Sequence, residues 1–182
     1  MEEKRSFTDN VKEFVKFLVI ASAIALPVRY FVAQPFIVRG ASMRPNFENS
    51  EYLIIDELSY FFREPERGEV VVFRYPFDPR QYFIKRIVGL PGEVVEIKDG
   101  KVMIRKAGEE KGQALEELYL AEDLKTEGNS AATLGPGDYF VLGDNRVQSS
   151  DGRIWGALPG RLIIGRAVFR AWPVSRAGLV KN

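Results

Sequence analysis

The chain has 182 residues, and its 26 lysines and arginines nearly balance 25 aspartates and glutamates, which leaves a formal net charge of +1. This length suits one domain or one domain with a small insertion, and the balanced charge gives no support to a nucleic-acid partner. The chain contains no histidine and no cysteine. This composition excludes disulfides, thiolate metal sites and catalytic centres built on either residue. Only carboxylates remain as metal ligands, and we predict no metal ion and no other cofactor.

The N-terminal part of the chain predicts a membrane anchor. Residues 17–28 carry no charge, and a helix over residues 11–33 would reach about 35 Å at about 1.5 Å per residue. That length crosses a bilayer if the flanking charged side chains reach the interfaces. A cleavable signal peptide and a buried core helix are the alternatives. Basic residues before the segment slightly outnumber those after it, which favours a cytoplasmic tail at residues 1–10.

The segment after Pro35 predicts a strand that leads to a serine. With a strand period of two, Phe36, Val38, Gly40 and Ser42 would share one face, and the glycine would leave room for a peptide backbone. The alternative is an ordinary edge strand that ends in a Ser-x-x-Pro turn. A nucleophilic serine needs a base, and in a chain without histidine that base must be a lysine.

Lys85 is the best candidate for this base. It lies in the run Tyr-Phe-Ile-Lys-Arg-Ile-Val-Gly-Leu-Pro-Gly at residues 82–92, with apolar neighbours on both sides. Burial in such surroundings disfavours the ammonium form, so the lysine can lose its proton near neutral pH.

Most of the remaining chain consists of short β-branched and aromatic runs between glycines and prolines, which predict strands. The most specific local signal is Asp99-Gly100 between Val94–Ile97 and Val102–Arg105, which predicts a hairpin with a two-residue turn. Residues 107–133 are rich in Glu, Lys, Ala and Gly, and we interpret them as an insertion or a mobile excursion with a short helix over Ala114–Leu124. The other predicted strands are Glu51–Asp56, Glu69–Tyr75, Gln81–Val88, Gly137–Leu142 and Arg161–Ala171.

A polar loop follows the strand that ends at Leu142. Two acids and two arginines, namely Asp144, Arg146, Asp151 and Arg153, lie within ten residues of one another. Such residues can form paired, bidentate contacts that brace a loop. The alternative is a solvated turn, which any Gly-Asp-Asn string also suggests.

Three motifs follow the apolar segment in a fixed order. They are Gly-Ala-Ser-Met-x-Pro at residues 40–45, Lys-Arg-Ile-Val-Gly-Leu-Pro-Gly at 85–92 and Gly-Asp-Asn-Arg-x-x-Ser-x-Asp-x-Arg at 143–153. In this order they closely resemble the bacterial type I signal peptidases, also called leader peptidases, which use a Ser-Lys dyad. The resemblance covers most of residues 10–170 and is weakest over 107–133.

This chain departs from the commonest family pattern at three places. Asn46-Phe47 stands where Thr-Leu is usual, Val147-Gln148 where Asp-Asn is frequent, and Gly152 where serine is frequent. None of these changes removes a catalytic group, although the last removes a serine from the loop that braces the site.

The resemblance implies roles for individual residues. Ser42 would be the nucleophile, Lys85 the general base, and Ser149 the residue that hydrogen-bonds the lysine and orients it. The Ser42 backbone N–H would belong to the oxyanion hole, whereas Gly40 lacks the hydroxyl that a serine or threonine supplies there in some members. The residues implied to brace the site are Asp144, Arg146, Asp151 and Arg153, and our candidates for the substrate pockets are Phe36, Val38 and Ile84.

The resemblance also implies an architecture and a setting. The fold would be mainly β, a small antiparallel β-barrel or two-sheet catalytic domain formed by residues 34–106 and 134–176, with an N-terminal transmembrane helix, an inserted β segment and a C-terminal tail at 177–182. The protein would be a single-pass monomer of the bacterial plasma (inner) membrane with its catalytic domain on the extracytoplasmic, periplasmic side. Its partners would be the lipid bilayer and secretory preproteins, cut after Ala-x-Ala-like sites of their signal peptides.

Two other functions remain as alternatives. A pilus- or plasmid-type processing peptidase would share both the dyad and the anchor. A membrane-tethered β domain that binds peptides without cutting them belongs to a different class. Its expected signature is the loss of Ser42, Lys85 or Ser149, and all three are present.

Overall fold

The structure is a computed structural model that describes residues 7–27, 34–122 and 124–180. Helix α1 spans Phe7–Pro27. No helix in these ranges combines the length and the hydropathy that crossing a membrane requires. The last part of the predicted anchor (11–33) lies outside the described residues, as do the ends of the two predicted terminal tails.

Short strands make up most of the regular secondary structure in the described chain. One further α-helix, α2, spans Gly152–Trp155. The strands are β1 (Gln34–Ile37), β2 (Tyr52–Asp56), β3 (Val70–Tyr75), β4 (Asp78–Gly89), β5 (Glu93–Lys98), β6 (Lys101–Lys106), β7 (Gln113–Ala114), β8 (Ser130–Thr133), β9 (Asp138–Leu142), β10 (Leu158–Pro159), β11 (Ile163–Trp172) and β12 (Gly178–Leu179).

The strands form two antiparallel sheets. The larger sheet has the order β1-β2-β11-β3-β4-β9-β10, and β12 pairs with β11 at Phe169 and Arg170, beyond the part of β11 that pairs with β3. The smaller sheet has the order β7-β6-β5-β8. The chain passes from one sheet to the other directly after β4, because only Leu90 to Gly92 separate β4 from β5.

Alternating side chains bury apolar residues on both faces of the larger sheet. In β3, Val70 and Val72 join a core cluster with Leu53, whereas Val71 joins a second cluster with Trp155. This alternation is what a period of two produces in a strand covered on both faces. A third cluster joins the two sheets, and it contains Val88, Val95, Ile97, Val102, Leu134, Phe140 and Leu142.

The two-sheet form of the predicted fold is confirmed, and the closed barrel is wrong. The larger sheet stays open because β1 and β10, the strands at its ends, each pair with a single neighbour in the described structure. The hairpin is confirmed, since β5 and β6 pair through Lys98 and Lys101, and Asp99 and Gly100 both have positive φ angles. Such φ angles are those that an Asp-Gly turn of type I′ requires.

Two local predictions are wrong. The described residues of the expected helix Ala114–Leu124 do not form one; Ala114 instead belongs to β7, and irregular backbone with turns follows it. Pairing of β7 with Met103 and Ile104 of β6 fixes the backbone there and overrides helix propensity. The chain end also contributes β12 to the larger sheet, although we expected only a polar tail.

Gly89 provides a test of the junction between the sheets. An added Cβ would overlap Val95 and lie 2.9 Å from both Leu134 Cδ1 and Phe140 Cβ. We predict that Gly89→Ala lowers the free energy of unfolding by about 1–3 kcal/mol, the usual effect of overpacking a core. Urea denaturation would measure it, with Gly178→Ala as the control because a Cβ there meets nothing within 4 Å. Equal stability of the two variants would contradict this packing.

Candidate active site

Ser42 and Lys85 lie next to each other in the folded chain. Ser42 belongs to the turn region after β1, and Lys85 belongs to β4, where it pairs with Val71 of β3. The distance between Lys85 Nζ and Ser42 Oγ is 2.8 Å, and the same Nζ lies 2.8 Å from the Ile84 carbonyl oxygen. The hydroxyl and the amine are therefore within the range needed for direct proton transfer.

Burial changes the acidity of Lys85. The residue is 4% exposed, and its Nζ lies 5.4 Å from the centre of the Phe83 ring. Desolvation lowers the pKa of Lys85 from 10.5 to about 8, although the carboxylates of Asp151 and Asp144 act in the opposite direction. A substantial fraction of this lysine is consequently neutral near physiological pH, which a general base must be.

The main chain around Ser42 is held by Asn145. Its backbone N–H donates to the Ser42 carbonyl at 3.0 Å, and its Nδ2 donates to the Ala41 carbonyl, also at 3.0 Å. On the other side, buried Met43 and Phe47 anchor the turn, and Phe47 N–H donates to the Met43 carbonyl at 2.9 Å. Two loops that are about a hundred residues apart in sequence are thus joined at the serine.

Gly40 contributes backbone conformation to the site. Its φ angle is +92°, in the region that favours glycine, and its N–H donates to Asn49 Oδ1 at 3.0 Å. It has no side-chain donor to offer to an oxyanion. In the described part of the chain the Ser42 N–H has no acceptor, so it is available to a bound group.

The structure places Ser149 beside the dyad without joining it to Lys85. Ser149 Oγ is buried and makes no hydrogen bond with any described residue. It is close enough to Asp151 to help lower the pKa of that carboxyl, but it does not meet hydrogen-bonding geometry. Gly143 separates the two serines, since a Cβ on Gly143 would overlap Ser149 Oγ and lie 2.5 Å from the Ser42 carbonyl oxygen. The lysine-orienting role of Ser149 stays a prediction.

Asp144 is paired with the arginine that follows Lys85. Arg86 Nε and Nη2 donate to the two Asp144 oxygens at 2.9 and 2.8 Å, and both residues are almost fully buried. The remaining nitrogen of the guanidinium, Nη1, donates to the Gly68 carbonyl oxygen at 2.7 Å. Buried charges need such complete pairing, because an unpaired charge in the interior is very costly.

Asp151 and Arg153 form the second pair. The guanidinium donates to both Asp151 oxygens at 2.8 and 2.9 Å, and the Gly143 N–H donates to Asp151 at 3.0 Å. Burial would raise the pKa of Asp151, but these hydrogen bonds and the adjacent charge outweigh it and lower the pKa below its usual range. Asp151 therefore stays ionised near Lys85 at neutral pH.

Arg146 reaches into the 107–133 segment. Its guanidinium forms an ion pair with Glu117 and donates to Thr126 Oγ1, and the residue is 2% exposed. From the same segment the Tyr119 ring covers the Arg86 guanidinium at 4.0 Å. Side chains of this segment are therefore built into the site, which favours the insertion over the mobile excursion among our two interpretations.

A groove runs along the serine and the lysine. Its volume is about 750 Å³, and both Ser42 and Lys85 contribute to its lining. The walls include Phe36 and Tyr82, whose rings meet edge to face at 5.7 Å. All three predicted pocket residues line this groove: Phe36, Val38 and Ile84. No group of three or more potential metal-ligating side chains occurs within the described ranges.

Comparison with known proteins identifies the family. Residues 11–172 match the family described as signal peptidase, peptidase S26. The chain belongs to this family. The resemblance recognised in the sequence motifs is therefore confirmed.

Individual relatives match over most of their length. A probable signal peptidase I-1 of Synechocystis sp. is 39% identical over 176 residues, which cover 92% of this chain and 86% of that protein. Signal peptidase I of Leptolyngbya laminosa is 39% identical over 175 residues, which cover 91% and 82%. A crystal structure of a signal peptidase I from Enterococcus faecalis, 29% identical, covers 58% of this chain and 98% of that one with a TM-score of 0.49, a similarity too low to define the fold by itself.

Several residues of this S26 site were given no role in the site from the sequence. Arg86 and Asn145 lie inside the motifs that carry the resemblance, so the motifs themselves held a signal for them. Asn46, Glu117 and Tyr119 enter through contacts across 29 to 98 residues of sequence, and no local pattern marks such partners.

The Arg146–Glu117 pair gives a prediction for the 107–133 segment. Glu117→Gln keeps the side-chain shape but leaves the buried guanidinium without its countercharge, and we expect the free energy of unfolding to fall by about 3 kcal/mol. Limited proteolysis should also cut the segment faster. Glu116→Gln is the matched control, because Glu116 is exposed. Identical stability and identical cleavage rates for both variants would show that the segment is not held by this pair.

Proposed function

We propose that this chain is a membrane-bound serine endopeptidase that removes signal peptides from secreted preproteins, with Ser42 as nucleophile and Lys85 as general base. Family membership supports a signal peptidase activity, and relatives at 39% identity carry the name signal peptidase I. The observation that carries the assignment of residues is the 2.8 Å separation of Lys85 Nζ and Ser42 Oγ at a buried lysine whose pKa is about 8.

The reaction follows from this pair. Neutral Lys85 takes the hydroxyl proton as Ser42 Oγ bonds to the scissile carbonyl carbon, and the carbonyl oxygen becomes an oxyanion. The C–N bond then breaks, the leaving amine takes the proton from Lys85, and an ester between Ser42 and the signal peptide remains. Water attacks this ester with Lys85 again as base, which releases the carboxylic acid and restores the serine. Apart from Lys85, no side chain of the protein has to change its charge.

The oxyanion requires donors close to Ser42. The Ser42 N–H is the donor that we assign, because it lacks an acceptor within the described chain while the adjoining carbonyls of Ala41 and Ser42 are held by Asn145. Gly40 belongs to this region through its backbone conformation alone. Loss of an oxyanion donor typically costs about 3–4 kcal/mol in the transition state, so rigid fixation of this one N–H is important.

Small substrate side chains suit the groove. Phe36, Val38 and Ile84 leave apolar surface beside the dyad, and buried Leu53 and Val72 also belong to its lining. Apolar surface of this kind can accept alanine, in keeping with the Ala-x-Ala pattern before signal-peptide cleavage sites. Preproteins are thus the proposed substrates.

The membrane setting is part of the same proposal. On α1 the side chains of Phe14, Phe17 and Val19 are more than half exposed, and lipid would cover apolar surface of this kind. We assign residues 11–33 to a single-pass anchor in the bacterial plasma membrane and expect a monomer. The remaining layout is a cytoplasmic tail at 1–10 and an extracytoplasmic catalytic domain at 34–106 and 134–176 with 107–133 inserted, to whose larger sheet Gly178–Leu179 adds β12.

The proposal predicts a specific pH dependence. The ammonium form of Lys85 cannot accept the serine proton, so kcat/KM should fall tenfold per pH unit well below its pKa of about 8 and level off above it. The measurement is cleavage of a preprotein with an Ala-x-Ala site, in detergent, from pH 6 to 10. A profile that is flat across pH 8 would contradict the role of Lys85.

Substitutions in the same assay separate catalysis from binding. Ser42→Ala should lose activity by at least about a thousandfold, and Lys85→Met, which keeps the length without the amine, by about 10²–10⁴-fold. Lys98→Met, at an exposed lysine of β5, should remain fully active. Undiminished cleavage by either dyad variant would refute the mechanism. A folded wild type that binds the preprotein without cutting it would favour the peptide-binding alternative.

A further inference from the structure

Asn46 lies where three separate parts of the site meet. It follows the nucleophilic serine by four residues, in the turn that buried Met43 and Phe47 anchor to the core. Its side chain reaches the polar loop and the 107–133 segment, and its main chain reaches β11 and the residues after it. The reaction as derived above gives it no chemical role.

The side-chain amide of Asn46 donates in two directions. Its Nδ2 lies 2.8 Å from Asp144 Oδ2 and 2.9 Å from the Tyr119 carbonyl oxygen. Both acceptors lack hydrogens, so they need two donor hydrogens, which the NH₂ group of Asn46 supplies and a single hydroxyl does not. Asp144 is 0% exposed, and Arg86, the residue after Lys85, holds the same carboxylate from the other side.

The main-chain oxygen of Asn46 is held as well. Arg170 Nη2 and Arg176 Nη2 both donate to it, the second at 3.3 Å. These arginines are fixed in turn by Glu51, which is 1% exposed and forms ion pairs with Arg170 at 2.8 Å and with Arg176 at 3.0 Å. The side chain and the main chain of Asn46 are therefore both held in place.

We propose that Asn46 is a positioning residue that sets the distance between Ser42 and Lys85. This proposal rests on the proposed function, because the Ser42–Lys85 distance affects the rate only if the two residues act as a catalytic dyad. The serine turn is connected through Asn46 to the Asp144–Arg86 pair, and Arg86 is covalently adjacent to Lys85 in β4. A shift of the turn relative to β4 would separate the hydroxyl from the amine, and small misplacements of reacting groups reduce rates strongly.

The charged groups around the dyad determine whether a substitution at Asn46 changes the pKa of Lys85. Lys85 is influenced by Asp151 and Asp144, and these are paired with Arg153 and Arg86. A neutral replacement at 46 leaves this set of charges unchanged. We therefore expect it to lower kcat while the midpoint of the pH profile remains near its wild-type value.

The test compares one variant whose residue 46 side chain cannot donate a hydrogen bond to Asp144 with one whose side chain can. Asn46→Leu is similar in size and should lower kcat by about 10–100-fold, the effect of losing a hydrogen bond to a charged group, with KM within about twofold of wild type. Asn46→Thr keeps one hydroxyl donor for Asp144 and should stay within about threefold of wild-type kcat. Asn129→Leu is the matched control, because Asn129 is exposed. Preprotein cleavage gives kcat and KM, and circular dichroism verifies folding.

Amide hydrogen exchange supplies a readout that does not need activity. The Asn145 N–H, bonded to the Ser42 carbonyl, should lose protection by about tenfold in Asn46→Leu and keep it in Asn46→Thr and Asn129→Leu. A folded Leu variant with wild-type kcat and unchanged exchange would overturn the inference, as would a Thr variant that falls as far as Leu. If Leu prevents folding, Asn46→Ala replaces it. A wild type that cuts no preprotein would contradict the proposed function, while the exchange comparison would still test the coupling.

Discussion

The site depends on keeping a buried lysine free of ion pairs although two carboxylates lie near it. Lys85 Nζ contacts Ser42 Oγ and the Ile84 carbonyl, while Asp144 and Asp151 each bind an arginine through both carboxylate oxygens. A direct carboxylate partner would stabilise the ammonium form and remove the base. Arg86 and Arg153 therefore brace loops and also keep the two carboxylates from pairing with Lys85. Because they pair with the carboxylates, desolvation prevails and the pKa of Lys85 remains at about 8.

Strand β4 brings the required groups together through its register. Ile84, Lys85 and Arg86 are consecutive, and their side chains reach the groove, the serine and Asp144 respectively. Arg86 is also where β4 begins to pair with β9, opposite Leu142. The loop that leaves β9 therefore starts beside Arg86, and Asp144 follows two residues later. The pairing of β4 with β9 therefore places Arg86 and Asp144 close to each other.

Sequence predictions were correct where neighbouring residues determine the structure, and they failed where contacts between distant residues determine it. Asp99-Gly100 defines a hairpin through its own φ angles, and the motif order pointed to Ser42 and Lys85, whose side chains meet in the fold. Sheet closure depends on whether distant edge strands pair, so the barrel was wrong. The prediction of a helix over Ala114–Leu124 was wrong for a related reason. Tyr119 and Glu117 of that segment contact Arg86 and Arg146, and only the folded chain reveals that these residues are close.

Gly40 illustrates how backbone geometry can constrain a catalytic group. Space is not the obstacle to a side-chain donor there, because a Cβ on Gly40 would meet nothing within 4 Å. The obstacle is the φ angle of +92°, which a residue with a Cβ adopts only at a cost of about 1–3 kcal/mol. A serine at this position would gain a hydroxyl donor and lose the conformation that leads the chain into Ser42. Asn145 instead fixes the peptides on both sides of Ser42, so oxyanion stabilisation in the proposed reaction would rest on a well-held backbone N–H.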